Sequence, residues 1–447
     1  MLSRLAGSPP LPNHSRLKGS HMTNGSVSTA DVYPDRLQDG IYFRSGQQPG
    51  QGQRPSPCYR LLLLNVSPGT TPSEARQAIA TVWTMLQNLR RGIVRELRVP
   101  GWSELEFPVP HGCLTCLLGF GARFFDRRLH NPPLVLPENS AGLHELRPLD
   151  SNDAGPFPNL HWAVQENRSI AETDLAIQFI AQTELAVNRA AVEVWKIIDD
   201  DKQPLPLQIV TSYSGFNRDD HRSWLGFYDG ISNIRSDERR AAIEVVSKSP
   251  PWMEGGTYMA FLRLAIDLAG WQRLLPEHQE ILIGRNKLTG CPLTSVHHGP
   301  QGTLVPVPLV ANRVAGTPPG SPAYIDPPRP SAALLQASHM HRANVYRRGL
   351  TDVDGSNRIF RQGYEFLEAF VNGKPCLGLN FVSFQRWLSR LTNILNTLRW
   401  LGDVNFGGPE HPQVEEEPHP ISLLSVIAGG FYAVPPKGDP FPGADIF

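Results

Sequence analysis

The chain has 447 residues, more than one ordinary domain holds and comfortable for two. Lysine plus arginine and aspartate plus glutamate balance at 42 each, which argues against nucleic acid and against an anionic membrane surface as partners. No run approaches the roughly 18 apolar residues of a membrane-spanning helix. The 5 cysteines (Cys58, Cys113, Cys116, Cys291, Cys376) are odd in number and scattered, so they make no disulfide framework.

Residues 1–34 are polar and rich in Pro, Ser and Gly, and are expected to be disordered. They carry neither the apolar core of a signal peptide nor twin arginines, so a cytoplasmic location is expected. Gly19-Ser20-His21-Met22 looks like the remnant of a purification tag, with Met22 as the natural start. Tyr59 to Val66 reads as a buried strand. Thr71-Pro72-Ser73-Glu74 is a capping box with proline at the first helical position. The helix it opens places Ala75, Ile79, Val82, Leu86 and Leu89 on one face. A second strand follows from Leu114 to Gly119. Cys113 and Cys116 form a C-x-x-C match without a second pair, and are expected as two buried thiols on this strand. Residues 126–160 form a proline-rich excursion. A strand from Asp174 to Ile180, a helix from Thr183 to Ile198 and a strand from Leu205 to Tyr213 complete the ferredoxin-like order.

The second half repeats it. The pattern predicts a strand from Gly256 to Leu264, helices around 268–275 and 277–284, and a Pro/Gly-rich insertion over 286–335. A strand from Gly378 to Phe384, a helix over about 385–398 and a strand from Gly430 to Val434 follow. The expected architecture is therefore α+β: an N-terminal ferredoxin-like domain over 35–225 and a C-terminal one over 226–447, with antiparallel sheets and peripheral helices. The 39 glycines and 42 prolines exceed the average share of about 12%, which suits long loops.

Near the middle lies Trp224-Leu225-Gly226-Phe227-Tyr228-Asp229-Gly230-Ile231-Ser232-Asn233. Its glycines permit a tight turn or a close backbone approach to something flat. An aspartate among Phe227, Tyr228 and Ile231 would be partly desolvated, which raises its pKa and suits proton transfer. An ordinary Asp-Gly turn between strands is the plainer reading. Three further segments follow in order: Ser338-His339-Met340-His341-Arg342-Ala343-Asn344, Arg358-Ile359-Phe360-Arg361-Gln362-Gly363-Tyr364, and Leu377-Gly378-Leu379-Asn380-Phe381. The chain then closes on Gly429-Gly430-Phe431-Tyr432-Ala433-Val434-Pro435.

In that order the segments resemble the dye-decolourising peroxidase family of heme enzymes, from about Asp35 to Pro436. The resemblance implies a duplicated ferredoxin-like fold with one heme b held mainly by the second domain. It implies reduction of hydrogen peroxide and oxidation of dyes, phenols or similar small aromatic donors through a ferryl intermediate. It makes His339 the proximal iron ligand, with His341 as competitor. It makes Asp229 the distal acid–base group and Arg361 the charge stabiliser, with Arg358 as the alternative arginine. Gly230, Ile231, Arg342, Leu379 and Phe381 would contact the heme. Asn380, as the neighbour of Leu379 on a strand, should face the other way.

One departure stands out. Many relatives have an acid about seven residues before the closing Gly-Gly that accepts the ligand histidine's other N–H. Here that position is Ser422, so Asp403 or a backbone carbonyl would have to serve. Tyr346, Tyr364, Trp387 and Trp400 are candidates for electron relay, or simply packing residues. Two other readings remain beside the peroxidase: a heme carrier or sensor on the same fold, and a ferredoxin-like protein without heme. Homo-oligomerisation is left open.

Overall fold

The computed structural model describes residues 36–41, 56–94, 109–131, 173–220, 222–228, 234, 236–246, 250–293, 296–298, 304–306, 338–343, 358–371, 373–395 and 423–447. The expected segment 1–34 lies outside them. Arg36–Phe447 form one compact unit.

The first half runs β1 (Cys58–Val66), α1 (Pro72–Arg90), β2 (Thr115–Gly121), α2 (Ala122–Asp126), β3 (Leu175–Ala181), α3 (Glu184–Ile198) and β4 (Leu207–Phe216). The second runs α4 (Ser236–Ile243), β5 (Thr257–Ile266), α5 (Leu268–Arg273), α6 (Pro276–Ile283), a small hairpin of β6 (Val296–His298) and β7 (Leu304–Pro306), α7 (His339–Ala343), β8 (Phe360–Arg361), β9 (Tyr364–Val371), β10 (Lys374–Gln385), α8 (Leu388–Leu395) and β11 (Leu424–Val434).

Local sequence explains the first helix. Thr71 caps it and Glu74 closes the box: the Thr71 N–H donates to the Glu74 carboxylate at 2.8 Å. Such a cap is worth about 1 kcal/mol. Ala75, Ala78, Ile79, Val82, Trp83, Leu86 and Leu89 are buried at helical spacing. Each of the larger ones contributes about 1.5–3 kcal/mol by leaving water. Thr183 caps α3, its side chain accepting from the Ala186 N–H without a closing glutamate.

All pairings between the long strands are antiparallel. In the first half the order is β2-β3-β1-β4, and in the second β11-β5-β10-β9. Both are the ferredoxin-like order. The two sheets join at both edges, where Tyr432 and Ala433 pair with Gly121 and Phe120, and Phe216 pairs with Glu365. Eight strands therefore close into a barrel. Alternation divides each strand between two cores. Tyr59, Leu61 and Leu63 point into the barrel with Met259, Phe261, Val382 and Phe384. Leu62, Leu64 and Val66 point outward, under α1 and α3.

One end of the barrel is plugged by residues 37–41. Gln38 donates from Nε2 to the carbonyls of Leu118 and Pro435 at 2.9 and 2.8 Å, and accepts from the Leu118 N–H. After β11 the chain returns to the first half. Phe441 and Ile446 are buried there, and Phe447 lies 5.7 Å from the Phe124 ring.

The structure changes several expectations. Cys113 stands exposed in the turn before β2 with φ 53, and only Cys116 is buried. Burial pushes the Cys116 thiol up to about 12. β9 has no counterpart in the sequence reading, because Tyr-Glu-Phe-Leu-Glu-Ala-Phe-Val mixes helix formers with strand formers and lacks a clean alternation. β11 starts six residues earlier than expected, and a register shift between Val426 and Ala428 breaks the period on which the reading relied.

Candidate functional site

The candidate site residues of β8 and β10 lie on the outer face of the second half. Along β10, Val382 and Phe384 face the barrel, so Leu379, Phe381 and Ser383 face outward. Leu379 and Phe381 belong with the larger apolar core, Phe381 at 9% exposure. Asn380 faces the barrel interior as expected, fully buried, accepting from Arg263 Nη1 at 2.6 Å and donating to the Ser214 carbonyl at 2.8 Å. β8 pairs with the end of β10 and sets Arg361 opposite Ser383. That register puts Arg361 on the face that carries Leu379 and Phe381.

Arg358, three residues earlier, is engaged elsewhere. Its guanidinium pairs with Glu238 of α4 at 2.6 Å. Arg239, 4% exposed, donates to the Ile234 carbonyl at 2.9 Å, with its guanidinium 4.6 Å from the centre of the Phe360 ring. These contacts tie Ile234 and α4 to β8, beside Arg361.

The Trp224 stretch begins with an ordered turn. The Ser223 N–H donates to Phe227 O at 2.9 Å, and the Gly226 N–H to Ser223 O at 2.8 Å. Gly226 has φ 85, a conformation that glycine adopts without steric cost. Trp224 is docked on β9. Its backbone N–H donates to the buried Glu365 carboxylate at 3.3 Å, and its indole N–H to Phe366 O at 3.1 Å. Arg222 donates to the carbonyls of Gly226, Lys287 and Leu288 at 2.8, 2.6 and 3.0 Å. Burial lowers the pKa of Lys287; the Glu280 carboxylate opposes that shift and Arg222 adds to it. Asp229, Gly230 and Ile231 follow Tyr228 directly and lie outside the described residues.

His339 opens α7, half-buried. Buried Ser338 sets the helix, accepting from the Arg342 N–H at 2.9 Å through its carbonyl and from the His341 N–H at 3.4 Å through its hydroxyl. α7 packs on α6. Ala343 joins the same apolar core as Phe381 and Leu379. The Nε of Arg342 is buried and meets no hydrogen-bond partner among the described residues. Tyr346, Trp400, Asp403 and Ser422 lie outside the described residues. Tyr364 points into the barrel, stacked on Tyr59 at 4.4 Å, and Trp387 is half-buried before α8.

Sequence reasoning missed Arg222, Glu280, Lys287, Arg239 and Glu365. None lies in a motif: Arg222 reaches the carbonyls of Lys287 and Leu288, 65 and 66 residues on, Glu365 accepts from Trp224, 141 residues earlier, Arg239 lies over the Phe360 ring, and Glu280 meets Lys287 through a turn whose shape the sequence does not print.

The site therefore sits on an α+β barrel of the kind found in DyP-type peroxidases. Residues 220–437 match the family model described as Dyp-type peroxidase, C-terminal. The structure is similar to a DyP-type peroxidase from Streptomyces coelicolor, with TM-score 0.56 and 19% identity, covering 91% of this chain and 96% of that one. It is similar to ferric DtpA from Streptomyces lividans, with TM-score 0.57 and 20% identity, covering 90% and 96%. At these identities the likeness is one of fold. Among curated proteins, a Deferrochelatase of Shigella flexneri serotype 5b (strain 8401) is 25% identical over 292 residues, which is 62% of this chain and 58% of that one. The chain thus spans less than two thirds of the length of the curated relatives it matches. Among the described residues no helix is long and apolar enough to cross a membrane.

Proposed function

We propose that the chain is a heme peroxidase that reduces hydrogen peroxide and oxidises small aromatic donors such as dyes and phenols. One observation in this structure supports a heme at the site. The buried Nε–H of Arg342 lacks an acceptor among the described residues, on the helix that His339 opens, whose Ala343 joins the apolar core that includes Leu379 and Phe381. A buried unsatisfied donor costs about 1–3 kcal/mol, more when charged. A porphyrin carboxylate would satisfy Arg342 while the ring covers the apolar face. The residues present fit one heme b.

His339 would hold the iron, and Arg342 a porphyrin carboxylate. Bound there, the heme would supply the redox chemistry of the reaction with peroxide. Asp229 takes the proton from one peroxide oxygen and returns it to the other, which then leaves as water. Arg361 supplies fixed positive charge where negative charge develops as the O–O bond breaks. Gly230 and Ile231 would border the ring on the Asp229 side.

Absorption spectroscopy tests the reading. The purified chain is expected to show a Soret band at one heme per chain and to turn over a dye with peroxide. His339→Ala is expected to lose the band, and His341→Ala to keep it. The opposite pattern would transfer the ligand role to His341. The name Deferrochelatase carried by the relatives supplies a second reading, in which iron leaves a chelate. Release of free iron without peroxide consumption would favour it.

A further inference from the structure

Between the helix that His339 opens and the turn that ends at Tyr228 runs one stretch of chain, residues 276–288. At one end, α6 closes at Gly284 with φ 85, its N–H donating to Glu280 O at 2.7 Å. A side chain at Gly284 would meet Ser338 Oγ at 2.5 Å and Met340 Cβ at 3.3 Å. The end of α6 and the start of α7 are thus packed without spare room. At the other end, the fully buried Glu280 carboxylate accepts the Lys287 N–H at 2.6 Å. Lys287 lies against Gly226, where a Cβ would come within 2.7 Å of its Cε. Its ammonium is 5.6 Å from the Phe227 ring and 5.7 Å from the Trp271 ring, and it donates to Gln279 Oε1. The Trp271 indole N–H donates to Leu225 O at 3.2 Å. Arg222 then closes the connection, spanning Lys287 O and Leu288 O on one side and Gly226 O on the other.

We propose that Glu280, Lys287 and Arg222 form a strut that holds the His339 helix and the turn leading to Asp229 at one separation, with Arg222 as a positioning residue. The inference rests on the heme peroxidase reading, in which the two sides act on one peroxide molecule. Tyr228 is the last described residue before Asp229, and the strut fixes the turn up to that point. A planar guanidinium suits the task, because its fork of donors reaches several carbonyls at once and a lysine ammonium at the same place cannot. Three charged groups in a part-buried cluster are also costly unless each is satisfied, so the arrangement tolerates little play. A misplacement of about 1 Å in such a site costs on the order of a hundredfold in rate.

The test compares wild type with Arg222→Ala and Arg222→Lys in the full, heme-loaded chain. Arg222→Ala is expected to keep its Soret band and its KM for the reducing dye. Its second-order reaction with peroxide is expected to fall by roughly tenfold to a hundredfold, and Arg222→Lys to recover part of that loss. Hydrogen exchange supplies the second readout: amides of 222–228 and 285–293 should exchange faster in Arg222→Ala, while those of β1 do not change. A wild-type peroxide rate in Arg222→Ala would overturn the proposal, and so would unchanged exchange in both segments. Should Arg222→Ala not fold, Glu280→Gln takes its place. It keeps the shape but weakens the acceptor, and the same two readouts apply with effects of about threefold to tenfold. If wild type itself binds no heme, the peroxidase reading falls. The strut is then decided by exchange alone.

Discussion

The two halves of the barrel share one strand order and use its outer face differently. In the first half, α1 has 19 residues and α3 has 15, and they lie over a face of Leu62, Leu64, Val66, Leu118, Phe120, Leu175, Ile177 and Phe179. In the second, α5 has 6 residues and α6 has 8, where the first half has one long helix. The face there carries Leu379 and Phe381, but also Arg361, Ser383 and Glu365. A face covered by long helices must be apolar throughout, because buried polar groups without partners are costly. A face under short helices can hold charged groups and a flat apolar floor together. The same ladder of hydrogen bonds therefore gives a packed scaffold in one half and a candidate site in the other.

The contrast is broken most severely by exchanging the damage. Arg361→Leu is expected to slow the reaction with peroxide by about a hundredfold to a thousandfold, with heme retained and the melting temperature nearly unchanged. Stopped-flow mixing with peroxide measures it. Phe179→Ala, at a fully buried position under the helices of the first half, should do the opposite. It is expected to cost about 3–5 kcal/mol in denaturant unfolding and to leave the peroxide rate of the folded fraction alone. A Phe179→Ala protein that is stable but slow with peroxide would show that the scaffold half takes part in the chemistry.

A smaller effect is expected where the site meets the barrel. A Cβ at Gly378 would lie 1.8 Å from Leu264 O, a backbone atom of the adjacent strand that cannot step aside cheaply. Gly378→Ala should force β10 and β5 apart and destabilise the protein by about 1–3 kcal/mol. Leu379 is the next residue, so heme should also dissociate faster. Thermal melting and heme transfer to apomyoglobin test the two parts.

The seam between the halves gives a pH-dependent effect. Asp39 pairs with Arg90 of α1 at 2.5 Å and with Lys437 of the C-terminal tail at 2.9 Å. Burial alone would raise its pKa, but the hydrogen bond from Lys437 and the Arg90 charge outweigh that and leave it below the ordinary carboxylate value. A depressed carboxylate adds stability above its unfolded pKa, near 3.9, and loses it as pH falls through the folded value. Asp39→Asn should melt earlier than wild type at neutral pH, and the two curves should converge below about pH 4. Parallel curves down to pH 2 would remove Asp39 from the seam. The smallest effect concerns the thiols. Cys113 should react with a thiol reagent in the native protein, and Cys116 only after unfolding.

The sequence by itself determined what depends on neighbours in the chain. The capping box at Thr71 and Glu74, the helical face of α1 and the strand of leucines after Tyr59 are local patterns that the structure repeats. The same holds for the opposite facing of Leu379 and Asn380, which follows from the period of two along a strand. It also set the ferredoxin-like order of the first half, and that of the second except for β9, and pointed to His339 and Arg361 as residues to examine. Only the tertiary structure decided the rest. Closure of the barrel depends on two short edge pairings, Phe216 with Glu365 and Tyr432 with Gly121, and no local pattern encodes which edges meet. β9 has little period of its own and becomes a strand because β10 supplies its partners. Arg358 and Arg361 look alike in sequence; Glu238, 120 residues earlier in the chain, claims the first, and the register of β8 puts the second on the face that carries Leu379 and Phe381. Arg222, Glu280 and Lys287 gain their roles only because a turn and a helix end are brought together. Side-chain chemistry is written in the sequence, whereas the distance between two such groups is set by the fold.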